Sequence, residues 1–225
     1  MTLQEKLNLI DLEMNAANSP WFNDLEKLTF LNKAQVDLVE NYYRQYGATE
    51  EFAEKLATLT ERPVIGFTQT AQVGTFNIDT GLTVPQSVNG SYFMYIIKLI
   101  MDTTDTCGRQ RKVPAERVEI NDLESLSMDP FSFPKATKPL YYVSNNATQE
   151  REITVYVDQI NGTAPYPVIG AINNLYYLRS PRRVSLTPLI ESELPNSLHD
   201  ELVERTVLLL LENVKAARQQ THKNL

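Results

Sequence analysis

Few residues in this 225-residue chain could do acid–base, nucleophilic or metal chemistry. The chain has two histidines, His199 and His222, and one cysteine, Cys107. A zinc site would need all three, and their spacing matches none of the close Cys and His pairings that hold structural zinc. A Ser–His–Asp triad could draw only on His199, and no G-x-S-x-G elbow accompanies it. Gly66, Gly74 and Gly81 stand too far apart for a dinucleotide fingerprint, and there is no P-loop. Asp102 with Asp105, or Glu119 with Asp122, could supply the two carboxylates of a glycoside hydrolase. Acids beside strands and turns are more often solvated or capping groups. The expectation is a chain that is not an enzyme and needs no cofactor and no metal.

Three other groups could work by binding. Arg109, Arg111 and Lys112 form a short basic run after Gly108, expected as a solvated loop and as the place to meet DNA if the protein meets it. Tyr176, Tyr177, Arg179, Arg182 and Arg183 surround Pro181. Tyr and Arg are enriched at interface hot spots, and Pro181 limits ladder pairing, so an edge or a strand end presenting exposed charges to a neighbouring subunit is expected. The alternative is a strand whose tyrosines cover the subunit's own core. Phe131 and Phe133 stand in an extended turn, Asp129 to Pro134. They are expected to plug their own core, with a knob for a neighbour as the functional alternative.

Elements that would position these residues follow from the apolar period. Leu3, Leu7, Ile10 and Met14 make a one-sided helical stripe. After a break at Asn15 to Pro20, Leu25, Leu28, Leu31, Ala34, Leu38 and Val39 make a second, with Asn23 or Asp24 able to cap it. Gly47 suits a helix stop, Thr49 suits a cap, and Phe52, Leu56 and Leu59 suit a third helix ending before Pro63. From Val64 the period becomes alternating. Phe93, Tyr95, Ile97, Leu99 and Met101 share one side of a predicted strand, and Ile153, Val155 and Val157 share one side of another. Asn161-Gly162 favours a tight hairpin, with Tyr166 to Ile172 returning. Leu175 to Leu178 and Val184 to Leu186 are further short strands, and most of the twelve prolines punctuate this region.

The last element is predicted as a helix opened by Pro195-Asn196-Ser197, with Ser197 and Asp200 as a capping box. Leu202, Val203, Thr206, Val207, Leu210, Leu211 and Val214 form its buried side, and the all-apolar run Val207 to Leu211 implies cover on more than one side. The expected fold is α+β: residues 1–63 helical, 64–189 a β-rich sandwich or partly open barrel, and 190–225 a helix packing back on the N-terminal helices.

The net charge of −7 and pI of about 5.0 argue against tight DNA binding, because dedicated nucleic-acid binders need a positive field to displace counterions. A wall past which DNA slides remains compatible, since a negative lining avoids trapping it. The start, MTLQEKLNLIDLEMN, reads as an acidic amphipathic helix and not as a signal peptide. No stretch approaches the roughly 18 to 20 apolar residues of a membrane span. The sequons at Asn89, Asn146 and Asn161 are read as chance, and a cytoplasmic site of synthesis is expected.

Three segments carry a resemblance: Trp21 with Leu31-Asn32-Lys33-Ala34-Gln35 and the tyrosines after it; Leu123 to Pro134 with Lys138-Pro139-Leu140-Tyr141-Tyr142; and Tyr176 to Val184 followed by Leu194-Pro195 and His199. Their order resembles virion structural proteins of short-tailed, crAss-like bacteriophages. The layout of a helical bundle with a β insertion is similar to adaptor proteins of the head–tail connector. The resemblance implies a homo-oligomeric ring under the portal, with portal and other neck or tail proteins as partners. It also implies transient passage of double-stranded DNA, no membrane, and a place in the virion. The alternative from another class is a cytosolic, non-catalytic binding or regulatory domain.

Overall fold

The computed structural model describes residues 1–17, 21–45, 50–62, 68–70, 73–77, 93–104, 109–122, 125–126, 129, 131, 133–135, 137–145, 147, 151–156 and 168–223. Cys107, Asp105, the three sequons, Gly47, Thr49 and the Asn161-Gly162 turn lie outside them. The fold is α+β, with helices at both ends of the chain and a β-rich middle. It divides into two compact units: Met1–Thr60 with Arg179–Leu225, and Glu61–Val84 with Phe93–Leu178.

In the helical unit, α1 spans Leu3–Ala16 and α2 spans Asp24–Arg44. Both open with a reciprocal cap. The Thr2 hydroxyl accepts from the Glu5 amide at 3.3 Å while the Glu5 carboxylate accepts from the Thr2 amide at 2.8 Å. Asn23 and Glu26 repeat the exchange at 2.8 and 3.0 Å. Each pair satisfies two amides that a helix start leaves without partners. A short helix α3, Glu50–Leu56, runs into a 3-10 turn at Ala57–Leu59. The final helix α4, His199–Lys223, packs on both α1 and α2.

Helix α4 is reached through a 3-10 turn, Asn196–Leu198, and Pro195 before it contributes no side-chain cap. Ser197 therefore lies inside that turn and not at the helix N-cap. Leu7, Ile10, Leu31, Ala34, Val39, Leu202, Val203 and Leu210 are sealed from solvent. Fully burying a leucine contributes about 1.5–3 kcal/mol, so this seam dominates the unit's stability. Two expected core residues are outside it: Leu25 is 75% exposed and Leu208 52%. A run of five consecutive apolar residues goes more than once round a helix of about 3.6 residues per turn. Only one sector of α4 is covered, so Leu208 has to leave it.

Two lysines are buried in the same unit, Lys6 on α1 and Lys27 on α2. The Lys27 ammonium donates to Asp11 of α1 at 2.7 Å and to Asp24 at 3.0 Å. Burial alone would lower its pKa, but these two carboxylates outweigh burial and raise it.

The β-rich unit contains β1 (Thr60–Glu61), β2 (Thr68–Thr70), β3 (Val73–Asn77), β4 (Phe93–Thr104), β5 (Gln110–Pro114), β6 (Glu116–Arg117), β7 (Leu140–Asn145), β8 (Arg151–Tyr156) and β9 (Val168–Arg179). The first and last of these carry the chain between the units. One sheet has the order β1-β9-β4-β5 and the other β2-β3-β8-β7-β6. The pairs β3–β8, β7–β8 and β4–β5 are antiparallel, and β6 joins β7 in parallel. Neither sheet closes into a barrel. Phe93, Leu99 and Met101 of β4, Leu175 and Tyr177 of β9, Tyr141 of β7 and Ile153 and Val155 of β8 share one apolar cluster, so the two sheets form a sandwich-like core. In β4 the buried positions are Phe93, Ile96, Leu99 and Met101, so the parity changes between Phe93 and Ile96 and again between Ile96 and Leu99. Tyr95 and Ile97, expected on the buried side, are half-buried. The single strand β9 joins what the sequence divides into two strands. A last hairpin, β10 (Ser185–Leu186) with β11 (Leu189–Ile190), belongs to the helical unit.

Candidate subunit interface

The segment after β9 is fastened to α2 by side chains of α2 itself. Asn32 donates to the Val184 carbonyl at 3.1 Å and accepts from the Val184 amide at 2.7 Å. This is the pairing a neighbouring strand would give Val184, supplied here by an amide side chain. Ser192 donates to Gln35 at 2.6 Å, and Gln35 donates to Asn32 at 3.2 Å. Pro181 and Val184 of this segment, a strap laid on α2, are buried. Two polar side chains of one helix face, Asn32 and Gln35, thus hold residues 184–192 against the bundle, with Ser192 of that segment completing the network.

Charge completes the fastening. Glu193 accepts from Arg179 at 2.6 Å, pairs with the Arg182 guanidinium at 3.1 Å and accepts from the Arg182 main-chain amide at 3.0 Å. Burial alone would raise the Glu193 carboxyl, but the hydrogen bonds and charges of the two arginines hold it below its usual range. The Arg179 side chain is only 12% exposed, whereas that of Arg182 is 50% exposed. Arg179 therefore serves the subunit's own fold, contrary to its expected role as an exposed charge. Arg183 is exposed.

In the β-rich unit Tyr177 is sealed inside the core at 1% exposure. Its hydroxyl donates to Glu61 at 2.7 Å and its ring lies 5.5 Å from that of Phe93. Tyr176 is half-buried beneath the Arg62 guanidinium, 5.3 Å from the ring. Tyr177 thus covers its own core, and β9 ends before Pro181 as a strand end and not as a sheet edge.

The basic run is not a loop. Arg111 and Lys112 lie on β5, the edge strand of its sheet, with Lys112 opposite Asp102. Arg109 precedes the strand, and all three are exposed. Basic side chains on an edge strand discourage pairing with another sheet and leave a cationic rim. Phe131 does not plug the core. It is 88% exposed, with its amide held by the Asp129 carboxylate at 2.9 Å in a local turn. Phe133 is half-buried beneath the Lys135 ammonium.

Among the described residues the candidate chemical groups do not converge. Glu119 and Asp122 stand on an exposed turn. His199 is buried and its Nε2 meets the Leu194 carbonyl at 3.0 Å, while its Nδ1 has no partner among the described residues. Burial lowers its pKa and the nearby Lys6 charge lowers it further. Among the described residues no group of three or more His, Cys, Asp or Glu is placed to hold a metal ion. No described helix is long and apolar enough to cross a membrane.

Beside the strap lies a feature with no local sequence signal: a cleft of about 450 Å³ between α2 and residues 181–183. Lys33, Val36 and Asp37 line one side, and Pro181 and Arg183 the other. Lys33 and Arg183 are exposed, and among the described residues neither has an ion-pair partner. They are far apart in the chain, so only the fold brings them together. No protein-family model matches the chain and no curated protein matches it in sequence.

Proposed function

We propose that this chain is a structural subunit of a phage head–tail connector, a neck ring or adaptor below the portal that joins capsid to tail and forms part of the DNA conduit. The observation that carries this reading is the build of the molecule: helices from both ends of the chain form one unit, and a two-sheet β-rich unit is inserted between them. That is the layout the sequence resemblance implies for connector adaptors. The polar strap of Asn32, Gln35, Ser192 and Glu193 serves to hold a surface segment rigid, which suits a part that must present a fixed contact. The acidic balance of the chain suits a conduit that must not retain DNA.

Quantitative mass spectrometry of purified particles tests the proposal. A ring subunit is present at a fixed copy number comparable with that of the portal. Absence from particles, or a trace amount varying between preparations, overturns it. A second reading, a cytosolic binding or regulatory domain, draws on the cleft beside Lys33 and Arg183. It predicts a folded protein that stays outside the particle and binds a small anion or an acidic peptide there.

A further inference from the structure

We infer that two copies of this chain join by seating the outer ridge of α4 from one copy in the cleft between α2 and residues 181–183 of the next. The inference rests on the ring reading and supplies its contact. Both surfaces belong to the helical unit. On α4, Glu204, Leu208 and Glu212 recur every fourth residue and all are exposed, with Asp200 one step further back. Side chains at that spacing form a continuous ridge, the kind that packs into a groove on another helix. The ridge has a leucine at its centre and an acid on each side. Lys215 lies towards its C-terminal end.

The cleft has the complementary pattern. Val36 and Pro181 give it apolar walls, and Lys33 and Arg183 give it a cationic rim. Asp37 also reaches it, but Asp37 faces the Arg205 guanidinium at 3.7 Å within its own copy. At about 450 Å³ the cleft has room for a leucine side chain with its flanking methylenes. Seating Leu208 there would place Glu204 and Glu212 towards Lys33 and Arg183. Ridge and cleft are different surfaces of one rigid unit, so the contact is heterologous and repeats from copy to copy. Such contacts close into a ring when the rotation permits. Opposed charge steers two copies into register, and the central apolar residue supplies the desolvated contact.

Charge exchange in the full-length chain tests this. One variant carries Lys33→Glu and Arg183→Glu, and a second carries Glu204→Lys and Glu212→Lys. All four positions are exposed, so melting curves should match that of the unmodified chain. Sedimentation velocity up to about 1 mM should show the unmodified chain associating. Each variant alone should associate about tenfold more weakly or worse, and their equimolar mixture should recover association because opposite charges then face each other. Leu208→Ser, which leaves the charges in place, should also weaken association, and added salt should weaken it further. A chain that stays monomeric to that concentration overturns the contact. So do variants that associate like the unmodified chain, or a mixture that fails to recover while melting is unchanged. The two readings fail separately. A particle component whose Lys33→Glu/Arg183→Glu form is incorporated normally overturns this contact alone. A chain that associates through α4 yet is missing from particles overturns the connector reading alone.

Discussion

Replacing Arg179 by alanine should be costly, and replacing Arg182 should not, although both touch the same carboxylate. Arg179 is 12% exposed and 2.6 Å from Glu193, itself 21% exposed. Its removal leaves a largely desolvated carboxylate with only Arg182 for support. Losing one partner of a buried charged hydrogen bond costs about 1–3 kcal/mol. The value stays below the roughly 3–5 kcal/mol of a fully buried pair because the Arg182 main-chain amide and water still reach Glu193. Arg182 is 50% exposed at 3.1 Å, so its side chain belongs with surface pairs worth about 0.2–1 kcal/mol. Its amide, at 3.0 Å, survives the substitution.

Urea titrations at neutral pH would measure both. The Glu193 carboxyl is held below its ordinary value of 4.5, so its contribution is full above that pH and is lost as pH falls below it. Glu193→Gln should remove that part of the acid dependence. Equal costs for the two arginines, or an acid profile unchanged by Glu193→Gln, would refute the account. Charge reversal at Arg179 therefore probes folding, and Arg183 is the position that probes assembly.

Leu210→Ala should cost on the order of 2–5 kcal/mol in thermal or urea denaturation, because Leu210 is fully buried. Leu208→Ala, two residues away and 52% exposed, should change stability by less than about 0.5 kcal/mol. Asn23→Ala removes a cap and should cost about 0.5–2 kcal/mol, read in the same titration. His199 is held below its ordinary 6.5, first by burial and then by Lys6, so the fold favours the neutral ring. Its contribution is full above pH 6.5 and falls as acid protonates the unfolded chain first. A His199→Gln variant should show a flatter stability profile below that pH, and an unchanged profile would mean that the ring is not desolvated in solution.

Periodicity reads local order well and tertiary partnership poorly. The stripes of Leu3, Leu7 and Ile10, and of Leu28, Leu31 and Leu38, mark buried helix faces because a long amphipathic element must hide its apolar side. The alternation around Leu99 and Met101 marks a core strand for the same reason. The caps at Thr2 and Asn23 follow from an acid three residues on in each case, a pattern visible at Thr2-x-x-Glu5 without coordinates. Leu25 and Leu208 are exposed although they lie in apolar stripes or runs, because hydrophobicity says nothing about which sector of a helix finds a partner. Tyr177 and Arg179 have the composition of an interface but are occupied inside, by Glu61 and Glu193. Those partners lie far away in sequence or beyond a turn. The cleft is invisible to motif reading for that reason, since Lys33 and Arg183 become neighbours only when the strap folds onto α2.

Strands β1 and β9, which carry the chain into and out of the β-rich unit, are neighbours in one sheet. The Tyr177 hydroxyl is bonded to Glu61 across them. During synthesis the apolar faces of α1 and α2 emerge long before α4, which completes their cover. Contacts so distant in sequence normally fold slowly, because a long loop must close first. Here the inserted unit, once folded, already holds its two ends side by side. The effective loop between α2 and α4 then shrinks from the whole insertion to the segments 45–59 and 180–198 on either side of it. A β unit that folds early would act as a tether for the bundle and shorten the time its unfinished apolar face stands open to aggregation.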